Sequence, residues 1–338
     1  MERDNKALEG GGARPSSSGA SVHQPVMPAE VLAGLLGDGA ATEGLIIDGT
    51  VGGGGHARLI LEAAPKVELL GLDQDPQILE LAEKNLAPQI AAGRARMLHG
   101  RLTELGEILE REELPRPVGL LLDLGASSLQ LDRPERGFSF QADGPLDMRM
   151  DPRRGRTAAQ IVNTWDEADL ADLIFYEGDE RRARPIARAI VEGRRRATFQ
   201  RTAALADLIS RVLGGGGRIH PATRTFQALR RGVNEEGEEL SAGLAAAQKW
   251  LAPAGRLAVI SFHSGEDRVV KRFLAEAERD GSFENLGKKP QRPSRTEERE
   301  NRRSRSARLR LAVRQQPPVQ GDGELETTPG NVPGSEVS

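Results

Sequence analysis

The sequence predicts an α/β protein in which a parallel sheet carries a ligand crevice and an all-helical insertion interrupts the strand–helix alternation. Three observations predict it. Short apolar runs suited to strands buried on both faces alternate with stretches of helical composition. The first run is followed at once by Asp48 and five glycines in seven residues, and two later runs also end in an aspartate, Asp73 and Asp123. Between residues 129 and 214 no strand-like run occurs, and then the alternation resumes.

Composition bounds the chemistry. A chain of 338 residues suits one large domain or two smaller ones. The 38% hydrophobic content is enough for a core, and 29% charged residues with a net charge of -3 suit a soluble protein. There is no cysteine, which excludes disulfides, cysteine-ligated zinc, iron–sulfur clusters and thiolate nucleophiles. No run of 18 apolar residues occurs, so no membrane span is expected, and the N-terminus lacks the apolar core of a signal peptide. The cytoplasm is the expected compartment.

Residues 1–21 have the Gly, Ser and charge content of a disordered leader. His23 follows, close in sequence to the first strand and readable either as a ligand contact or as an ordinary surface histidine. A helix is expected over 28–36, with Pro28 near its start. Residues 45–47 form the first strand. Five glycines exceed what a bare turn needs and let a ligand approach backbone amides before the helix at 57–64. Residues 67–72 form the second strand, ending in Asp73, about 20 residues past the glycines, where ribose hydroxyls are gripped. An amphipathic helix over 76–86 comes next, then a weak third strand over 95–98 closed by His99, a helix over 102–109 and a fourth strand over 118–122 ending in Asp123.

The insertion opens with the polar, glycine-rich stretch 136–151, and helices are expected over 158–163, 167–176, 184–193 and 202–213. Thr164 or Asp166 is a candidate cap for the second of these, and Thr202 for the last. Residues 181–201 hold eight arginines around Phe199, which reads either as a surface for phosphates and unstacked bases or as a solvated helix face. Beyond it come a helix running to Asn234, a helix over 240–251, a fifth strand over 256–262 ending in His263, and a helix over 269–279. The basic stretch 288–305 reads as a mobile arm able to meet nucleic acid, residues 307–313 as a terminal strand, and residues 315–338 as a disordered tail.

Three strand tips ending in Asp48, Asp73 and Asp123 would line one edge of the sheet, with Asp123 beside the first strand and within reach of both cofactor and substrate. Asp48 at the mouth of the glycine loop would repel a diphosphate and attract a sulfonium or an amino group. That favours S-adenosylmethionine over a dinucleotide. A P-loop is excluded because the Lys-Ser/Thr pair is missing. Without a thiolate, methyl addition at C5 of a pyrimidine has no nucleophile, whereas direct transfer to nitrogen or oxygen needs positioning and an acceptor for the departing proton. His263, His220 and the carboxylates near Asp123 are candidate acceptors. His263 at a strand tip reads equally well as structural.

Several strings carry a resemblance to a known family. They are D-G-T-V-G-G-G-G-H from Asp48, L-L-L-D-L-G-A-S-S from Leu120, R-G-F-S-F from Arg136, D-G-P-L-D-M-R-M-D from Asp143, H-P-A-T-R-T-F-Q-A-L-R from His220 and S-F-H-S-G-E-D-R from Ser261. With them the chain resembles the bacterial 16S ribosomal RNA (cytosine-N4) methyltransferase family. The resemblance implies a Rossmann-like class I methyltransferase sheet over 22–129 and 215–314, with an inserted helical substrate-recognition domain over 130–214. It implies S-adenosylmethionine as methyl donor, no metal, and the 16S rRNA of the small ribosomal subunit as partner. It places cofactor contacts on Gly54, Gly55, His56, Asp73, Leu102, Asp123 and Gln130, and it names no catalytic base. The chain departs from the family pattern in places. Leu102 stands where an aromatic is usual, Ala126 and Leu129 where Val and Pro are, Gly265 for Leu, and Arg231-Gly232 for an apolar-aromatic pair. Two further readings stay open beside this one: a methyltransferase of the same fold acting on DNA, protein or a small molecule, and a non-catalytic RNA-binding or assembly factor.

Overall fold

The computed structural model of the protein describes residues 24–37, 43–214 and 219–315. His23, the expected leader and the tail beyond residue 315 lie outside the described residues. In chain order the elements are α1 (Pro28–Leu36), β1 (Glu43–Asp48), α2 (Gly55–Ala63), β2 (Lys66–Asp73), α3 (Pro76–Asn85), α4 (Ala87–Ala91), β3 (Ala95–His99), α5 (Leu105–Arg111), β4 (Gly119–Asp123) and α6 (Ser128–Asp132). The helical module follows with α7 (Ala158–Thr164), α8 (Glu167–Gly178), α9 (Ala183–Arg194) and α10 (Thr202–Leu213). The chain closes with α11 (Thr223–Val233), α12 (Glu236–Trp250), β5 (Arg256–Ser261), α13 (Ser264–Arg279), β6 (Phe283–Asn285), α14 (Arg295–Glu300) and β7 (Arg308–Arg314).

The strands form one sheet in the order β3-β2-β1-β4-β5-β7-β6. The pairs β1–β2, β1–β4, β2–β3 and β4–β5 are parallel, and β7 runs antiparallel to β5 and β6. Chain order reverses between β1 and β4, which opens a crevice beyond their carboxyl ends. Side chains alternate between the two faces, and both faces are covered. Ile46, Leu69, Leu121 and Ala258 pack with α1, α2 and α3 on one side; Ile47, Leu70, Leu120 and Leu257 pack with α5, α12 and α13 on the other. Burial on both sides is why these strands read as continuous apolar runs.

A third core cluster belongs to the helical module, drawing on Leu146, Ile161, Leu170, Ile174, Ile186, Ile190, Leu205 and Ile209. Ala222, Phe226 and Leu229 join it, so α11 packs with the module although it lies beyond residue 214. Of the expected caps, Asp166 closes α8 by accepting from the Asp169 amide at 2.8 Å. Thr202 is instead the first residue of α10, and its buried hydroxyl accepts from the Gly144 amide. The short edge strand β6, three residues long, carried no periodic signal.

The stretch 288–305, expected as a mobile arm, is folded. Ser294 caps α14, and Asn301 caps a 3-10 turn over Arg302–Ser306. Glu297 accepts from the Met27 amide at 2.7 Å, Asn301 donates to the Gln24 carbonyl, and Arg303 meets Asp132. These long-range contacts override the low-complexity composition.

Candidate active site at the carboxyl edge of the sheet

The loop after β1 is held by its own backbone. The Gly49 amide donates to Leu121 O, Val51 to Leu72 O and Gly54 to Val51 O. Gly52 and Gly54 take φ of 55° and 81°, which disfavours any side chain there. Gly49 must be bare for another reason: a Cβ would fall 2.8 Å from both Leu102 and Leu122. Gly55 and His56 then open α2, and their amides, in the first turn, have no intrahelical acceptor.

Asp48, Asp73 and Asp123 are the last residues of β1, β2 and β4, so adjacent parallel strands bring three carboxylates to one edge. Asp48 is almost wholly buried, and burial pushes it up to about 7, against the opposing pull of His56 and the Thr50 amide; Asp123 and Asp73 add to the rise. Burial also raises Asp73 to about 6, although the Asp75 and Gly52 amides donate to its two oxygens. His56 is buried too. Burial alone would depress it, but Asp123, 3.5 Å away, and Asp48 hold it above the ordinary histidine range. Asp123 Oδ1 and His56 Nε2 are buried without a hydrogen-bond partner. A crowd of acids with one histidine and spare acceptor capacity fits a cationic ligand bearing a sulfonium and an ammonium, and does not fit a pyrophosphate.

Asp75, just past the tip of β2, is fully buried and forms a hub. It caps α3 through the Gln77 amide and accepts from Gln130 Nε2 and Arg136 Nη2, both at 2.7 Å. Arg136 also donates to Gln77 Oε1 and to the carbonyls of Arg149 and Met150. Gln130 accepts from the Ser127 amide, closing a capping box on α6. The irregular segment 143–157 thus folds back over the sheet edge. There Arg153 and Asp151 meet His99 at the tip of β3, and Arg154 meets Glu104. Asn234 pins the same segment, accepting from the Met150 amide and donating to Met148 O. Asp75, Arg136 and Asn234 were not expected as site residues, although an Asp ahead of Pro76 is an available cap signal.

The expected site residues are therefore distributed as follows. Gly54, Gly55, His56, Asp73 and Asp123 converge on the crevice. Leu102 is buried in a 3-10 turn after β3, over Gly49. Gln130 is 3% exposed, and its amide is bonded at both ends within the protein. His263 caps α13: its Nδ1 accepts from the Gly265 and Glu266 amides, and Nε2 lies 2.8 Å from Glu266. The ring nitrogen a base would use is already occupied. His220 is exposed and stacks on Phe140 at 4.5 Å, within the helical module. Phe199, read either as a partner for unstacked bases or as part of a solvated helix face, is 7% exposed in the module core. Arg194 donates to the carbonyls of Val162 and Trp165, and Arg182 to those of Val212 and Leu213, so part of the arginine run serves the fold.

A sheet of this order, with a glycine loop, three acidic strand tips and a cation-seeking crevice, defines an α/β methyltransferase. The model of the MraW methylase family matches residues 20–315, and the chain belongs to that family. It is 46% identical over 316 residues to the ribosomal RNA small subunit methyltransferase H of Methylobacterium sp. (strain 4-46), covering 88% of this chain and 92% of that one. To the protein of that name in Paramagnetospirillum magneticum (strain ATCC 700264 / AMB-1) it is 45% identical, covering 88% and 97%. Among solved structures, an rRNA methylase from Streptococcus thermophilus covers 86% of the chain and 95% of its own, with 10% identity and a TM-score of 0.40. Among the described residues no helix is long and apolar enough to cross a membrane, and no cluster of three or more His, Asp or Glu is placed to hold a metal.

Proposed function

We propose that the protein transfers a methyl group from S-adenosylmethionine to the exocyclic N4 amine of a cytidine in the decoding region of 16S ribosomal RNA, in the cytoplasm. The observation that carries this reading is the pairing of the unpartnered Asp123 Oδ1 with the buried Asp48–His56 couple beside the open amides of α2. Family membership and relatives named for the small-subunit ribosomal RNA supply the substrate class.

In this reading Asp73 takes the ribose hydroxyls, Gly55 and His56 meet the methionine carboxylate with their amides, and Leu102 offers apolar contact to the adenine. The backbone turn at Gly54 permits the close approach, and Asp48 and Asp123 face the ammonium and sulfonium. Gln130 acts by holding Asp75 and the start of α6. The cofactor supplies an electrophilic methyl group. The protein's part is to align the amine and to accept hydrogen bonds from its N–H groups, which frees a lone pair otherwise delocalised into the ring. Asp123 is the acceptor with capacity left for that. The sheet unit, residues 22–129 and 215–314, binds the cofactor, and the helical unit at 130–214, extended by α11, closes the crevice over the substrate.

Calorimetric titration with S-adenosylmethionine should give a heat of binding, and a chain that no longer catalyses should give none. Mass spectrometry of ribosomal RNA from a deletion strain should show one N4-methylcytidine lost and restored by the plasmid-borne chain. An unchanged methylcytidine inventory removes the RNA assignment.

A further inference from the structure

The positive charge of this chain is unevenly placed. Residues 264–314 hold fifteen Lys and Arg against nine Asp and Glu, +6 in a chain whose net charge is -3. The helical unit at 130–214 holds fifteen Arg against fourteen acids; several of those arginines bond backbone carbonyls or paired acids within the module, whereas Arg184, Arg195 and Arg196 are exposed with no ion-pair partner among the described residues. In the C-terminal quarter several arginines face outward, while Arg310 is buried against Asp267. Arg295, Arg299, Arg302 and Arg305, on α14 and the turn after it, are exposed and have no ion-pair partner among the described residues. The same holds for Arg268, Lys271 and Arg272, which share one face of α13.

These residues lie beside the site. Glu297 of α14 bonds the Met27 amide, and its charge adds to the field at His56. Arg303 ties the turn to Asp132, at the end of the helix that follows the β4 tip. Arg308 and Arg310 of β7 bind Asp267 in the first turn of α13. The arm is therefore docked, and its free guanidinium groups, together with the exposed cations of α13, give the elements around β7 a basic ridge.

We propose that this ridge carries the phosphodiester backbone of the RNA that delivers its base to the crevice, and that the arginine run of the helical module does not. The proposal rests on the reading of the chain as an RNA methyltransferase. A docked ridge suits the task because exposed guanidinium groups gain affinity by releasing counterions, and a preformed surface loses little entropy on binding.

The test measures binding of a fluorescein-labelled single-stranded decoding-region RNA from roughly 50 to 200 mM salt. Three variants join the wild type: R295Q/R299Q/R302Q/R305Q, R268Q/K271Q/R272Q, and R184Q/R195Q/R196Q in the module. The first should lose affinity about tenfold or more and flatten the salt slope by roughly 2–3, near 0.7 per lost phosphate contact. The second should move the same way, and the third should keep the wild-type slope. Retained heat of S-adenosylmethionine binding identifies folded protein. Unchanged slopes in both ridge variants, or an equal loss in the module variant, overturns the ridge and leaves the enzymatic reading standing. No salt-dependent RNA binding by the wild type overturns both.

Discussion

Asp48 pairs nearly complete burial with an acidic side chain, and the direction of its shift fixes what its removal does. Unfolded, it ionises near its ordinary 3.8; folded, at about 7. Its contribution to stability is fully present below pH 3.8 and is lost as pH rises through about 7. Asp48→Asn keeps an oxygen for the Thr50 amide, so this variant should melt higher than wild type at pH 8 and no higher at pH 4. Its affinity for S-adenosylmethionine should fall by roughly tenfold. Scanning fluorimetry and calorimetry at the two pH values check both halves. Asp73 follows the same sign, with its loss of stability complete by about pH 6. A cationic ligand reverses the preference, so wild-type affinity should rise between pH 5 and 7.5 as both carboxylates ionise. Asp73→Ala should weaken cofactor binding by roughly 1.5–3 kcal/mol, the scale of a lost hydrogen bond to a charged group. Unaltered binding would mean the ribose sits elsewhere.

At the scale of elements, Arg136 joins the cap of α3 to the segment that enters the helical module. Its guanidinium serves Asp75, Gln77 and two carbonyls in fixed directions. Arg136→Ala leaves Asp75 buried and underpartnered and should cost about 3–5 kcal/mol in urea unfolding. Arg136→Lys should not restore it, because a point charge cannot span that fork. A loss under about 1 kcal/mol would show that the hub is replaceable. The departures from the family pattern near α11 and α13 also resolve at this scale. Gly232 leaves space that Leu173 fills, since a Cβ there would lie 2.5 Å from its Cδ1. At Gly265 a Cβ would fall 3.0 Å from His263 Nδ1, 3.1 Å from its Cε1 and 3.2 Å from Arg231 Nη2, and Arg231 pairs with Glu177 of α8 at 3.0 Å. The small residue at 265 thus makes room for the capping ring of His263 and, beside it, for the end of the long side chain at 231. Gly265→Leu alone should destabilise by roughly 1–3 kcal/mol through overpacking. Combined with Arg231→Leu it should cost less than the sum of the single changes. Additive effects in a double-mutant cycle would break the proposed coupling.

At the scale of the whole molecule, the sheet unit and the helical module share buried polar ties: Asp75 with Arg136, and Asn234 with Met148 and Met150. They should therefore unfold in one transition, raised by about 2.7 kcal/mol when S-adenosylmethionine stands at a hundred times its dissociation constant. Calorimetry should give equal calorimetric and van't Hoff enthalpies for wild type and two separated transitions for Arg136→Ala. By itself the sequence determined the doubly covered sheet, the glycine loop, the three acidic tips and the run of helices between β4 and β5. Each of these is written in neighbouring residues, as a period, a run or a cap. The tertiary structure alone decided that Asp75 is a hub, that His263 caps a helix, that Phe199 is core, that Arg231 fills the space beside Gly265, and that residues 288–305 are docked. Apart from the His263 cap, whose partners are two and three residues on, those outcomes depend on partners tens to hundreds of positions away, as Glu297 and Met27 are, and local composition holds no trace of such distant contacts.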